Sequence, residues 1–154
     1  DHSAFDFFVK YTKNNRRGFI GIEVKYAESL REESKEKSER NFKQEYQNIT
    51  DSCGIFKPGS VPYLMKPPLS QIWRDHLLCL ATKQDFDEGF FVFLFPSQNH
   101  QCKAGIDEYK KFLVCDDEMQ NSFYERHLEE FINTLSTVSN SDWVTELKQR
   151  YLGS

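Results

Sequence analysis

No stretch of this chain approaches the roughly 20 consecutive apolar residues that a membrane-spanning helix requires, and no signal peptide is visible at its start. A cytoplasmic protein that makes no membrane contact is the expectation. Positive charge is not in excess either: 20 Lys and Arg against 24 Asp and Glu leave a net charge of −4. Broad, non-specific adhesion to nucleic acid needs clustered cations, so overall charge argues against it. Cysteine is scarce. Cys53, Cys79, Cys102 and Cys115 form no CxxC pair, and Cys79 (LLCLA) and Cys115 (FLVCD) sit in apolar settings where a thiol acts as a small hydrophobe, so reduced cysteines are expected. His100 and Cys102 supply two donors in one polar segment, short of the four that structural zinc takes. There is no GxGxxG, no P-loop, no Ser-His-Asp or Cys-His pattern, no internal repeat and no low-complexity tract. Dinucleotide cradling and covalent nucleophilic catalysis therefore have no signal here.

What the chain does have is aromatic bulk. Its 154 residues include 14 Phe, enough for a single domain over 1–154 with a substantial core. Two strand-like runs open it, Ala4 to Tyr11 (AFDFFVKY) and Phe19 to Tyr26 (FIGIEVKY), joined by a polar segment carrying Asn14, Asn15 and Gly18. This pattern predicts a β-hairpin. With the turn near Asn14 and Asn15, paired residue numbers sum to about 29 to 31, so Asp6 faces Glu23 or Lys25 with the other one pair along. Opposed residues and residues two apart share a face, which gathers Asp6, Glu23 and Lys25 on one side of the sheet. Phe5, Phe7, Ile22 and Val24 are then expected to point the other way and supply core. Two adjacent carboxylates repel unless a cation joins them, and oxygen donors suit Mg²⁺ or Mn²⁺ better than zinc. The alternative is an ordinary surface ion-pair patch worth about 0 to 1 kcal/mol. Around this acidic centre Lys10, Lys13, Arg16 and Arg17 make the hairpin locally basic, either to meet a phosphate backbone or simply to solvate the turn.

Further on, Ala27 to Gln47 is densely charged at helical spacing and predicts an exposed helix. Asn48 to Pro68 is rich in Gly and Pro and predicts an irregular connection with at most a short helical turn. A buried helix is expected from Gln71 to about Thr82 with Ser70 as its N-cap, then a central strand at Phe90 to Phe95, ended by Pro96. Lys103 to Leu113 predicts a helix. Ser122 and Glu125 have capping-box spacing before a helix through Val138, and a last helix spans about Asp142 to Leu152, capped by Ser141. Strands first, then helices alternating with a buried strand, predict an α/β layer fold with a mixed sheet.

Asp6 followed by Glu23-Val24-Lys25, the D…ExK signature, resembles the active site of the PD-(D/E)XK nuclease superfamily. The segments IEVKYAES (Ile22 to Ser29), QIWRDHLLCLA (Gln71 to Ala81), GFFVFLFPSQN (Gly89 to Asn99) and WVTELKQRYL (Trp143 to Leu152) look like a bacterial family of restriction-endonuclease-like proteins within it. The resemblance implies a restriction-endonuclease-like core, a central mixed β-sheet flanked by α-helices. It implies a Mg²⁺- or Mn²⁺-dependent nuclease acting on DNA, with Asp6, Glu23 and the Val24 carbonyl as metal ligands and Lys25 beside the reacting phosphate. Gln71 is the polar helix residue such enzymes place next to the metal, and Arg74, one turn on, is a candidate phosphate contact with Arg16 and Arg17. Arg74 paired with a carboxylate, and Gln71 merely capping its helix, are the competing readings. Many relatives cut both strands as homodimers, although no patch in this chain identifies a dimer face. The superfamily often carries an acidic residue on a helix before the Asp strand, and that helix has no room before Asp6, so a fragment lacking it, or a chain with disordered segments left out, is expected. A nuclease-fold module that binds nucleic acid or a protein partner without turnover is the alternative function, and a hydrolase of other phosphoesters is a third.

Overall fold

The computed structural model describes residues 4–26, 30 and 42–153. Strand β1 (Phe7–Lys13) and strand β2 (Arg16–Val24) form the expected hairpin, paired antiparallel from Phe7↔Ile22 to Lys13↔Arg16. Asn14 and Asn15, with φ of 52° and 61°, make the two-residue turn in the left-handed region that favours Asn and Gly. Extended by one pair, this register sets Asp6 against Glu23.

Helix α1 (Gln44–Ser52) and the short α2 (Val61–Leu64) precede α3 (Leu69–Thr82). Strand β3 (Glu88–Phe95) follows, then α4 (His100–Lys110), the single turn α5 (Glu118–Asn121), β4 (Phe123–His127), α6 (Leu128–Val138) and α7 (Asp142–Leu152). The sheet runs β1-β2-β3-β4, with β2, β3 and β4 mutually parallel. It is a mixed sheet flanked by helices, the predicted α/β class. Pro-less, apolar β3 lies at its centre, where strands covered by packing lose the polar alternation.

Two local expectations change, and a third lies mostly outside the described residues. The helix expected over Ala27 to Gln47 falls mostly on 27–29 and 31–41, outside the described residues. Helical structure continues through Asn48 to Ser52, where an irregular connection was expected, because the turn carrying Tyr46 and Thr50 packs on α3: Trp73 Nε1 donates to Thr50 Oγ1 at 3.1 Å, and its ring meets Tyr46 edge-on. Ser122 and Glu125 form no capping box. Ser122 is the left-handed residue ending α5, and Phe123–His127 pairs with β3 as an edge strand, a long-range pairing that its local sequence pattern does not announce.

The faces of the hairpin are also reversed from expectation. Phe7 is 60% exposed, and Ile22 and Val24 are only half-buried, whereas Phe19, Gly21, Glu23 and Lys25 lie on the buried side. That side continues across β3 as Phe91, Phe93 and Phe95, all sealed beneath Ile72, Trp73 and Leu77 of α3 and Ile106 and Tyr109 of α4. Helices α1, α3 and α4 cover the face that carries the acids, so the acids sit at the edge of the core rather than opposite it. Phe5 joins this same side despite its position next to Asp6. Its ring lies over Gly21, where an added Cβ would come within 2.6 Å, and packs on Phe8 and Phe91. Gly21 thereby lets the segment carrying Asp6 be pinned against the sheet.

Candidate active site

Asp6 sits in a bend just before β1, and its Oδ2 accepts a 2.8 Å hydrogen bond from the Val24 backbone N–H. This bond ties the acid to the carboxyl end of β2. Glu23 projects from β2 beneath α3 and is 5% exposed; Lys25, two residues on, is 7% exposed. The Lys25 backbone N–H donates to the Leu94 carbonyl at 2.8 Å, which extends the β2–β3 ladder and fixes the lysine's backbone. Its ammonium pairs with Glu23 Oε1. The same oxygen accepts from Gln71 Nε2 at 2.8 Å, so the first turn of α3 reaches down to the sheet as the sequence predicted.

Burial raises the pKa of Glu23, the bond to Lys25 and its charge oppose that rise, and the neighbouring Asp6 carboxyl adds to it. The surface ion-pair alternative does not describe this group. Exposed pairs keep their water, whereas here a carboxylate and an ammonium are both withdrawn from solvent and held by hydrogen bonds.

The remaining predicted residues separate. Arg74 is half-buried and lines a cleft of about 160 Å³ between α1 and α3 with Lys43, Tyr46 and Leu78; its charge also acts on Asp75. Arg16 and Arg17 are not brought to the acidic centre. They begin β2 and Glu23 lies near its end, so about 3.3 Å per residue places Arg17 about 20 Å from the acid. There Arg16 contacts Glu88 and the Asp87 carbonyl, and Arg17 donates to the Asp85 carbonyl. The expectation of a basic hairpin surrounding the acids fails because a long strand separates its turn from its open end.

Asp75 is the residue that sequence reasoning passed over except as a partner for Arg74. It lies four residues after Gln71, on the same side of α3, and is 7% exposed. Burial, then the Glu23 charge, push its carboxyl up to about 8 against the opposing charges of Arg74 and Lys25, with Asp6 adding to the rise. Its Oδ2 is buried with no hydrogen-bond partner. The available signal was the Gln71-to-Asp75 spacing of one helical turn.

Among the described residues, no three His, Cys, Asp or Glu side chains gather closely enough to enclose an ion. Mg²⁺ does not require such a cage: it commonly takes one or two carboxylates and keeps several waters. The Asp6 and Glu23 carboxylates with the Val24 carbonyl are hard oxygen donors of that kind, and the unmatched buried Asp75 oxygen beside them suits a hydrated cation. The residues present therefore fit a divalent metal.

No described helix is long and apolar enough to cross a membrane. No curated protein and no solved structure gives a significant match to the chain. The family model of the PD-(D/E)XK nuclease superfamily matches residues 1–153, and with that match over nearly its whole length the chain belongs to the PD-(D/E)XK nuclease superfamily.

Proposed function

We propose that this protein is a divalent-metal-dependent nuclease that hydrolyses phosphodiester bonds in DNA. The observation that carries the reading is the convergence of Asp6, Glu23, Lys25 and Gln71, from the bend before β1, the end of β2 and the first turn of α3, at the carboxyl end of β2. A structural ion pair does not need a second acid or an amide on the same carboxylate.

In this reading Asp6, Glu23 and the Val24 carbonyl hold Mg²⁺ or Mn²⁺, which supplies Lewis acidity and lowers the pKa of water. Lys25, paired with Glu23 in this structure, would offer its ammonium to the phosphate and offset the charge that develops on it during attack. Gln71 orients Glu23 and offers a second N–H to water or phosphate. Withdrawal of Glu23 and Lys25 from solvent strengthens their interactions, because fewer water dipoles compete. Arg74, half-buried in the cleft between α1 and α3, is a candidate contact for the DNA backbone. Arg16 and Arg17 lie about six base pairs away at about 3.4 Å per pair, so they would touch a duplex only along its length.

The test is incubation with plasmid, single-stranded DNA and RNA, with and without Mg²⁺ or Mn²⁺. DNA cleavage that requires metal is the expected result. Binding without cleavage marks a non-catalytic module, and cleavage unaffected by a chelator contradicts the reading.

A further inference from the structure

Asp75 is a buried acid without a protein partner for one of its oxygens. Buried carboxyl oxygens are nearly always hydrogen-bonded, because an unmatched one forfeits its hydration without return. Packing alone does not account for an acid here, since a Leu would fill the space without that cost. Arg74 does not account for it either: its charge acts on Asp75 less strongly than that of Glu23, and it lines the cleft toward α1. The groups that act on Asp75 are otherwise those of the candidate active site, Glu23, Lys25 and Asp6.

We propose that Asp75 is the outer carboxylate of the cation centre, a positioning residue whose Oδ2 accepts a hydrogen bond from a water on the divalent ion held by Asp6 and Glu23. The inference rests on the metal-dependent reading above. An outer place, acting through water, agrees with the lack of any three-acid cage among the described residues. It also agrees with the reluctance of Mg²⁺ to shed its hydration shell. The roles on α3 then divide by turn, with Gln71 holding the Glu23 ligand and Asp75 the ion's water. Such outer partners set both the affinity of a metal site and the orientation of what it binds.

Mn²⁺ binding to the DNA-free protein, followed by electron paramagnetic resonance titration, provides the test. Asp75→Asn keeps the size of the side chain and removes its charge, and the expected result is a loss of Mn²⁺ affinity of about 10- to 100-fold with an unchanged circular dichroism spectrum. Asp6→Asn, which removes a direct ligand, is the reference. If Asp6→Asn abolishes binding while Asp75→Asn binds as the unmodified protein does, Asp75 merely packs and this inference falls, with the metal site intact. If the unmodified protein binds no Mn²⁺, or Asp6→Asn binds equally well, the metal reading itself falls and takes the inference with it. Asp75→Ser, which leaves room for a water, substitutes should the Asn variant not fold; failure of both to fold assigns Asp75 to the fold and overturns the proposal.

Discussion

Asp75 and His76 are neighbours on one helix, both buried and both ionisable, yet their surroundings are opposite. Each His76 nitrogen has a partner at 2.7 Å: the Asn121 carbonyl, which only accepts, places the proton on Nε2, and Nδ1 then accepts from the Tyr109 hydroxyl. Four aromatic rings, Phe56, Phe91, Tyr109 and Phe123, enclose the imidazole. Burial lowers its pKa to about 4, and it is a closed structural link between α3, α4 and the turn before β4. Asp75, turned toward the sheet's acidic end, leaves an oxygen unmatched. Burial of a titratable group thus says little by itself, whereas the completeness of its hydrogen bonds separates a finished core contact from one that calls for a ligand.

Substitutions on the two sides of this divide should fail differently. Lys25→Ala and Asp6→Asn are expected to reduce metal-dependent cleavage by about 1000-fold or more in a plasmid assay, with the fold retained. His76→Ala is expected to lower stability by about 3 kcal/mol in urea titrations, since it leaves a cavity and two unmatched partners, while Mn²⁺ affinity of the folded protein stays unchanged. A loss of metal affinity in that variant would erase the distinction. The pH dependence has a definite sign: His76 titrates near 4 when folded and near 6.5 when unfolded, so the unfolded chain takes up the proton first on acidification. Stability is therefore fully present above about 6.5 and falls by about 3 kcal/mol as pH drops through about 4, a loss that His76→Gln should flatten in urea midpoints measured across that range. Gln71→Ala, which removes one of two donors on Glu23 Oε1, is expected to slow cleavage by about 10-fold. The smallest effect belongs to the far end of the hairpin. Arg16→Ala with Arg17→Ala should leave cleavage at saturating DNA nearly unchanged and lower the salt dependence of DNA binding by a slope of about 1 to 2.

The sequence carried the hairpin, its turn and the meeting of Asp6 with Glu23, because strand periodicity and the Asn-Asn turn are local signals that fix register. Gln71 came from the family resemblance, and its bond to Glu23 agrees with a place beside the acids, whereas Arg74, expected on the same face, lines the cleft toward α1. The sequence did not carry which face of the hairpin is buried. Phe5, Phe7, Ile22 and Val24 are apolar and Glu23 and Lys25 are charged, so composition alone favours the wrong side; the true assignment depends on where α3 and α4 pack. β4 was hidden for a related reason, since Phe123-Tyr124-Glu125-Arg126-His127 gains its strand conformation from β3 beside it. Asp75 was hidden because burial and an unmatched oxygen are properties of the assembled fold.

Manganese anomalous scattering from a crystal soaked in Mn²⁺ tests the central claim most directly. The account predicts a peak bounded by the Asp6 and Glu23 carboxylates and the Val24 carbonyl. A well-ordered, fully soaked crystal with no peak there, and Lys25 still bound to Glu23, would contradict it.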